Sequence, residues 1–313
     1  MKKGNRAIGR RTALLALLHL PIIFAGFVAP YDPAEQHRDL AYVPPTAIRW
    51  LPRPAVVVRQ AEGELRVPIH LFRGGHLFAV DPPAHIFLLG TGRFGRDVFS
   101  RLLYGGRLSL SAGLTAAALA LFIGTIAGAF AGYHGGLADT LTMRLSEVVL
   151  SLPWLYLLLA ARAFLPLDLS PAKSLLLITG VLGLLGWAQP ARLVRGLVLS
   201  LRTRQFVEAS RSFGASPSFI LTRHIGPHVY GLLLTQAALM IPQFILAEVT
   251  LSFLGLGAGE PAASWGGMIA ALQQTAVLRS YWWLLAPAVV LFVFSIAYHS
   301  LARAIEERVR LAN

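Results

Sequence analysis

The chain of 313 residues contains no cysteine, only three lysines and few charged residues of any kind. The absence of cysteine excludes a small secreted scaffold held together by disulfides. Charged residues make up 14% of the chain, whereas soluble domains carry about 25%. The hydrophobic share of 55% and the mean hydropathy of +0.61 exclude a disordered chain. The composition therefore predicts an all-α polytopic membrane protein.

The scarcity of lysine also bears on ATP binding, because a P-loop requires a lysine after a glycine-rich loop. Lys2, Lys3 and Lys173 follow no such loop, so we expect neither an ATP-binding site nor another cofactor in this chain. The nine histidines are scattered rather than paired, and we expect no metal site. Ser295 and His299 stand one helical turn apart, a weak pattern for an intramembrane enzyme, and we expect no catalytic residue.

Six segments are apolar enough, over about 20 residues each, to be membrane spans. They are Thr12–Ala29, Leu108–Tyr133, Leu145–Leu165, Ser174–Trp187, Val229–Thr250 and Trp282–Leu301. The first of them also fits a cleaved signal peptide, which is the alternative at this end of the chain.

The net charge of +13 is explained by this topology and does not indicate that the chain binds nucleic acid. Five basic residues precede Thr12, and six arginines lie between Arg192 and Arg223. Cytoplasmic loops carry such an excess of Lys and Arg, so both termini and the loop at 191–228 are predicted to be cytoplasmic, in the plasma (inner) membrane of the cell.

A polar, proline-rich segment separates the first span from the second and is predicted to be an external insert. Within it, Ala55–Phe72 fits a short β-hairpin, and Arg93–Tyr104 fits an amphipathic helix at the membrane surface. The predicted divisions are residues 1–29 (cytoplasmic N-terminus and first span), 30–107 (insert and amphipathic helix), 108–301 (five-helix core) and 302–313 (cytoplasmic tail).

Small residues and prolines mark the predicted helices. Gly124, Gly128 and Gly132 recur every four residues, which predicts a flat face for close helix packing. Prolines are expected to bend or interrupt the later spans. They are Pro153, Pro190, Pro242 and Pro287.

The loop at 191–228 is too polar to span a membrane and too apolar for a solvated linker. Val207–Phe213 predicts a short helix that Gly214 ends in a left-handed conformation. Ser216 then offers an N-cap for a second helix, which is predicted to stop before Gly226. Such a helix pair suits a groove on a partner protein; the alternative is an amphipathic loop that lies on the membrane.

This loop resembles the EAA loop of ABC-transporter permeases of the binding-protein-dependent importer type. That pattern is Glu-Ala-Ala, three residues, Gly, about ten residues and Ile-Leu-Pro. The matching residues are Glu208, Ala209, Gly214, Ile225 and Pro227. The chain departs from it at Ser210, Gly226 and His228, where the family has Ala, Leu and often Asn.

Three further blocks resemble the oligopeptide/dipeptide (peptide/nickel) branch, and specifically its C-type permease subunit. They are Leu89–Leu110, Gly132–Leu155 and Glu248–Ala270, so that the similarity runs from about residue 89 to 290. Residues 47–84 resemble an insertion relative to the shorter members of the family. The C-terminal tail departs from the Asn-rich ending that is usual in the family.

The resemblance implies a type I importer bundle that pairs with a second homologous permease and with two cytoplasmic ATPases, which use ATP and Mg. An external solute-binding protein would deliver the substrate. Peptides are the commonest association of these motifs, and nickel or another small solute remains an alternative. A secondary transporter or channel is the competing function, but the sequence has no convincing inverted repeat.

Residues of the translocation pathway are harder to identify. Gln243 and Glu248, on the fifth span, are the expected pair, because intramembrane polar groups are candidates by default. Glu147 and Arg162 are further candidates, with snorkelling to the lipid headgroups as the alternative for Arg162. The loop Gly255–Ser280 is a candidate contact for the binding protein. Four aromatic residues are expected to form an interfacial belt. They are Trp265, Tyr281, Trp282 and Trp283.

Overall fold

The computed structural model describes residues 2–49, 54–60, 63–163, 170–257 and 259–312. Its helices are α1 (Lys2–Ile23), α2 (Ala25–Val28), α3 (Val98–His134), α4 (Gly136–Ser151), α5 (Trp154–Ala163), α6 (Pro171–Gly186), α7 (Ala188–Leu201), α8 (Gln205–Ser212), α9 (Pro217–Phe219), α10 (Gly226–Phe253), α11 (Trp265–Ala270), α12 (Thr275–Ser280) and α13 (Ala286–Ala312). A π-helical turn, Ile220–Ile225, joins α9 to α10. The strands are β1 (Ile48–Arg49), β2 (Ala55–Gln60), β3 (Gly63–Arg73) and β4 (His76–Val80). The protein is predominantly helical.

Among the described residues, four helical stretches are long and apolar enough to cross a membrane. A bent pair of helices raises the number to five if the pair is counted as one span. The four are Val98–His134, Ala172–Leu201, Pro217–Phe253 and Trp282–Val309. The first predicted span, Thr12–Ala29, is not among them, because α1 begins in the basic N-terminal segment and ends at Ile23. Within the described residues, four or five of the six predicted spans therefore meet the criteria of length and composition.

The bent pair corresponds to the third predicted span. Helices α4 and α5 meet at an angle of 88° across Leu152 and Pro153. Leu152 has an extended backbone, with ψ of 135°, as is usual for a residue that precedes proline. Pro153 therefore breaks this segment, as the sequence predicts.

Two of the other prolines stand just after a boundary between helical elements. Pro190 is the third residue of α7, and Pro287 is the second residue of α13, so both lie in a first turn. A first turn has no intrahelical partner for its N–H groups, and proline costs little there. The fourth predicted span consequently continues through Pro190 to Leu201, and helix α13 runs through the predicted tail to Ala312. Of the four prolines named in the prediction, only Pro242 lies well inside a helix.

The predicted surface helix at Arg93–Tyr104 is not a separate element. Helix α3 begins at Val98 and continues without a break to His134. Gly95, with φ of +67°, turns the chain before it, and Asp97 Oδ2 accepts a hydrogen bond from the Ser100 N–H at 2.8 Å. This capping interaction sets the start of the helix.

The chain forms two compact units, each made of more than one segment. The first comprises Met1–Leu15, Ser111–Glu248 and Ser295–Asn313, and the second comprises Ala16–Leu110 and Val249–Phe294. Residues 30–107 therefore belong to the same unit as residues 249–294.

The second unit contains a four-stranded antiparallel sheet in the order β1-β2-β3-β4. Strands β2 and β3 pair with Val56 opposite Val67, at the position predicted for the hairpin. The sheet is larger than predicted, because β1 and β4 extend it on either side. Val56, Val67 and Ile86 lie in the apolar core beneath it.

Two of the aromatic residues predicted for an interfacial belt are instead core residues of this unit. Trp265 is fully buried and donates its indole N–H to the Leu102 carbonyl at 2.9 Å. Trp283 is buried and donates to the Thr91 carbonyl at 3.1 Å. Because a buried indole N–H needs an acceptor, these bonds hold the two tryptophans inside. Tyr281 stacks on Tyr42, and Trp282 alone remains largely exposed.

The glycine row of α3 faces α7 inside the first unit. A Cβ added to Gly124 would lie 2.6 Å from the Trp187 carbonyl oxygen, and one on Gly132 would lie 2.9 Å from that of Arg195. At Gly128 the Cβ would overlap the carbonyl oxygen of Ala191. The two backbones are thus close enough that only glycine fits at these three positions.

We expect Gly128→Ala to destabilise the protein by about 1–3 kcal/mol, because the added methyl group forces α3 and α7 apart. Gly196→Ala is the matched control: this helical glycine has nothing within 4 Å of its Cβ position, and alanine favours a helix. Thermal unfolding in detergent would compare the two variants. Equal melting temperatures would contradict the close packing described here.

Candidate functional site

Helix α8 ends in a turn that requires glycine. Gly214 has φ of +78°, and its N–H donates to the Arg211 carbonyl at 2.9 Å. The Ala215 N–H donates to the Ser210 carbonyl at 3.1 Å. These two bonds form a Schellman motif, which satisfies the last carbonyls of the helix. No atom lies within 4 Å of a Cβ built on Gly214, so backbone conformation, rather than space, selects glycine here.

The second helix begins as the sequence predicts but does not end there. Ser216 Oγ accepts a hydrogen bond from the Phe219 N–H at 3.3 Å, and Pro217 takes the first helical position. The chain then continues through the π-turn into α10, without a stop at Gly226. The Gly226 N–H donates to the Leu221 carbonyl, five residues back. This wider turn accommodates Pro227, which would clash with a carbonyl in a regular helix.

Buried aliphatic side chains attach this helix pair to the long helices. Val207, Ile220 and Ile225 are each no more than 1% exposed. They belong to one apolar cluster with residues of α7 and α10, namely Val194, Val198, Leu201 and Val229. The pair is therefore part of the core of the first unit and not a loop on a flexible tether.

Polar and aromatic contacts connect the two short helices to each other. Ser210 Oγ lies 3.2 Å from His224 Nε2, within hydrogen-bond distance. The Phe206 ring of α8 stacks on His228, at the start of α10, with centroids 5.9 Å apart. Within the second segment, Phe219 meets His224 edge to face at 5.5 Å. Ser210 and His228, two of the departures from the family pattern, thus make defined contacts in this arrangement.

The side of the helix pair that faces away from the buried apolar cluster is open to solvent. Phe213 is 91% exposed, a large unpartnered apolar side chain of the kind found at protein interfaces. Glu208, Ala209, Gly214 and Pro227 are also exposed, whereas Ile225 is buried. An open groove of about 730 Å³ lies between the helices. Its walls are Phe206, Ser210, Phe213, Gly214, Ala215, Ser216, Phe219 and His224.

The two residues predicted for the pathway lie in different surroundings. Gln243 is exposed and lines a cavity of about 640 Å³ between α4, α5, α6, α7 and α10. Glu248 is 1% exposed and does not line that cavity. Gln189 also lines the cavity and was not predicted. The Leu152–Pro153 break and the nearby Pro190 were the sequence signals that could have identified this region.

The remaining candidates have simpler environments. Glu147 pairs with Arg144 at 3.2 Å on an exposed face of α4, and the side chain of Arg162 lies outside the described residues. His299 Nδ1 donates to the carbonyl of Ser295, not to its hydroxyl, at 2.8 Å. Among the residues that the structure describes, no group of three or more His, Asp or Glu side chains is placed to hold a metal ion.

Residues 124–311 match the family described as binding-protein-dependent transport system inner membrane component. The chain belongs to this family. The match covers the two-helix loop, the cavity and the glycine row. A permease of this family is a membrane component of an ABC importer and carries no ATP-binding site of its own.

Several permeases of peptide transport systems are similar to this permease. The dipeptide transport system permease protein DppC of Bacillus subtilis is 37% identical over 73% of this chain and 71% of its own length. The oligopeptide transport system permease protein OppC of Escherichia coli K12 is 39% identical over 71% and 72%. The probable D,D-dipeptide transport system permease protein DdpC of the same strain is 30% identical over 96% and 85%.

A solved structure of the MetNI methionine ABC transporter, in inward-facing conformations, is also similar. It has a TM-score of 0.48 and 18% identity, over 66% of this chain and 97% of that chain. The sequence relatives place the permease in the oligopeptide/dipeptide branch.

We expect Ile220→Ala to loosen the helix pair, because it leaves a cavity under the loop that costs about 2–5 kcal/mol. Hydrogen exchange of the amides of residues 205–225 should accelerate in this variant. Phe219→Ala is the matched control. Phe219 precedes Ile220 in the chain, but its side chain is 49% exposed, so its loss should change the exchange rates little. Equal acceleration in both variants would contradict the anchoring of the loop by its buried face.

Proposed function

We propose that the chain is the permease subunit of an ATP-driven importer of peptides and forms half of the translocation pathway. The peptide substrate is supported by the names of its relatives, which are dipeptide and oligopeptide permeases. A second homologous permease completes the pathway, two cytoplasmic ATPases use ATP and Mg, and an external solute-binding protein delivers the substrate.

The observation that carries this proposal is the geometry of the two-helix loop. A permease without an ATP site must receive work through a contact with its ATPases. The loop suits that contact because one face is buried in the bundle while the other presents Phe213 to solvent. In this proposal Glu208, Ala209, Gly214 and Pro227 belong to the docking surface, and Ile225 holds it to the bundle.

The proposed topology has six spans with both termini in the cytoplasm. In this topology, α1 and α2 together form the first span, and the four long helices and the bent pair α4–α5 form the other five. Basic residues support this orientation, because Arg202 and Arg211 lie beside the loop that faces the cytoplasm in this arrangement. The sheet of the second unit then lies on the external side of the inner membrane.

The cavity that Gln243 lines is the proposed part of the translocation pathway in this chain. Gln189 and Gln243 supply amide groups, and Ser151 a hydroxyl, to a mostly apolar wall. Such groups hydrogen-bond a peptide backbone without selecting its charge. Glu248, which is buried beside the cavity region on the same helix, has no direct contact with substrate in this proposal.

The functional test is Gly214→Val in the transporter assembled with its partners in liposomes. Valine is strained at φ of +78°, so the turn that orients the two helices is lost. We expect substrate-stimulated ATP hydrolysis and peptide uptake to fall by at least about 10-fold, the equivalent of about 1.4 kcal/mol.

Gly74→Val is the matched control. Gly74 has φ of +64° with nothing within 4 Å of its Cβ position, and it lies in the turn between β3 and β4. This variant should transport normally. Unchanged coupling in Gly214→Val would contradict the coupling role, and uptake by the chain alone, driven by protons or sodium, would contradict the ATP-driven function.

A further inference from the structure

The second unit contains an arginine-rich pocket that the functions described above do not use. It has a volume of about 290 Å³ and opens between the start of α3, the chain after α10 and helix α11. Its charged lining residues, among those the structure describes, are Arg93, Arg96, Arg101 and Glu260. Three guanidinium groups therefore share the pocket with one carboxylate.

The carboxylate of Glu260 is divided between two of these arginines. One oxygen accepts from Arg96 Nη1, and the other accepts from Arg101 Nη2 at 3.1 Å. Each guanidinium thus makes one bond to Glu260, although a planar guanidinium can bind a carboxylate with two parallel bonds. Arg101 Nη1 turns instead to the backbone carbonyl of Pro33, at 3.1 Å.

This arrangement leaves hydrogen-bond donors in excess. The Arg96 side chain is only 9% exposed, and no acceptor within the described part of the chain reaches its buried Nε. Such an unpaired buried donor is costly. A second carboxylate in the pocket would offset the positive charge that Glu260 leaves uncompensated.

The pocket is accessible from the surface. Phe94 is 46% exposed, and Arg93 and Arg96 each lie over its ring at 5.4 and 5.3 Å from the centroid. Arg93 is itself exposed, and the Glu260 side chain is 58% exposed. Cation–π contacts thus position the two arginines at an open rim.

The size of the pocket favours a single side chain over a whole peptide. Sites for small molecules measure about 300–1,000 Å³, and this pocket, which Glu260 already lines, is at the lower limit of that range. An acidic side chain on a protein surface has the charge, the acceptors and the dimensions that fit.

We propose that this pocket is a docking site for an acidic side chain of the external solute-binding protein. The proposal rests on the function and topology proposed above, which place this unit on the external side. Arg93 recruits the carboxylate at the rim, and Arg96 donates to it inside, beside Glu260. The site sets the affinity of the encounter and takes no part in coupling to the ATPases.

The test compares Arg93→Gln with wild type in the assembled transporter in nanodiscs. Binding of the purified solute-binding protein is measured as Kd at several salt concentrations. We expect Kd to rise on the order of 10-fold, as for the loss of one charge-assisted bond, and its salt dependence to weaken. Because Arg93 is exposed, the variant should fold normally, and Arg93→Lys should recover most of the affinity.

Arg66→Gln is the matched control, since Arg66 is an exposed arginine of β3 in the same unit. It removes the same charge outside the pocket and should leave Kd unchanged. If wild type transports and Arg93→Gln binds the solute-binding protein with wild-type affinity, the docking site is refuted while the proposed function stands. An altered KM for free peptide with unchanged Kd would assign the pocket to substrate and also refute it. A wild-type assembly without substrate-stimulated ATP hydrolysis would refute both.

Discussion

The packing of Val207, Ile220 and Ile225 beneath the two-helix loop is the interaction on which the rest of the functional account depends. These side chains share one apolar cluster with α7 and α10, so a displacement of the loop must move the long helices with it. Close-packed cores transmit displacement because they have little free volume. A loop held only by its ends would absorb such a displacement instead. The buried face therefore makes the exposed face mechanically useful.

The same helices have a second constraint, which is the close approach of their backbones. The glycine row of α3 lets this helix lie directly against α7. The C-terminal half of α7 contributes Val194, Val198 and Leu201 to the apolar cluster beneath the two-helix loop. Bidentate bonds from Arg195 to Asp139, one of them at 2.6 Å, also join α7 to α4. Helix α7 is thus the element through which the loop, the glycine row and the broken α4–α5 segment are connected within the first unit.

Local chemistry explains which features could be predicted from the sequence. The left-handed Gly214, the Ser216 N-cap and the break at Pro153 depend on residues adjacent in the chain, and all three are observed. The continuation of α9 into α10 could not be predicted, because a π-turn that accommodates Pro227 has no clear sequence signature. The burial of Trp265 and Trp283 was missed for another reason: their acceptors, the carbonyls of Leu102 and Thr91, are more than 150 residues away in the chain. The composition that predicts an interfacial aromatic belt also fits a buried core.

The central claim is that the exposed face of the loop contacts an ATPase, and the absence of cysteine allows a direct test. A single cysteine placed by Phe213→Cys would be the only thiol in the chain. Treatment of membrane vesicles with a short cross-linker that couples to this thiol at one end and inserts photochemically into nearby C–H or N–H bonds at the other should link it to the ATPase subunit. Phe72→Cys places a cysteine at a similarly exposed position, 71% for the native phenylalanine, in the sheet, and should give no such product. A cross-link at position 72 but not at position 213 would contradict the account.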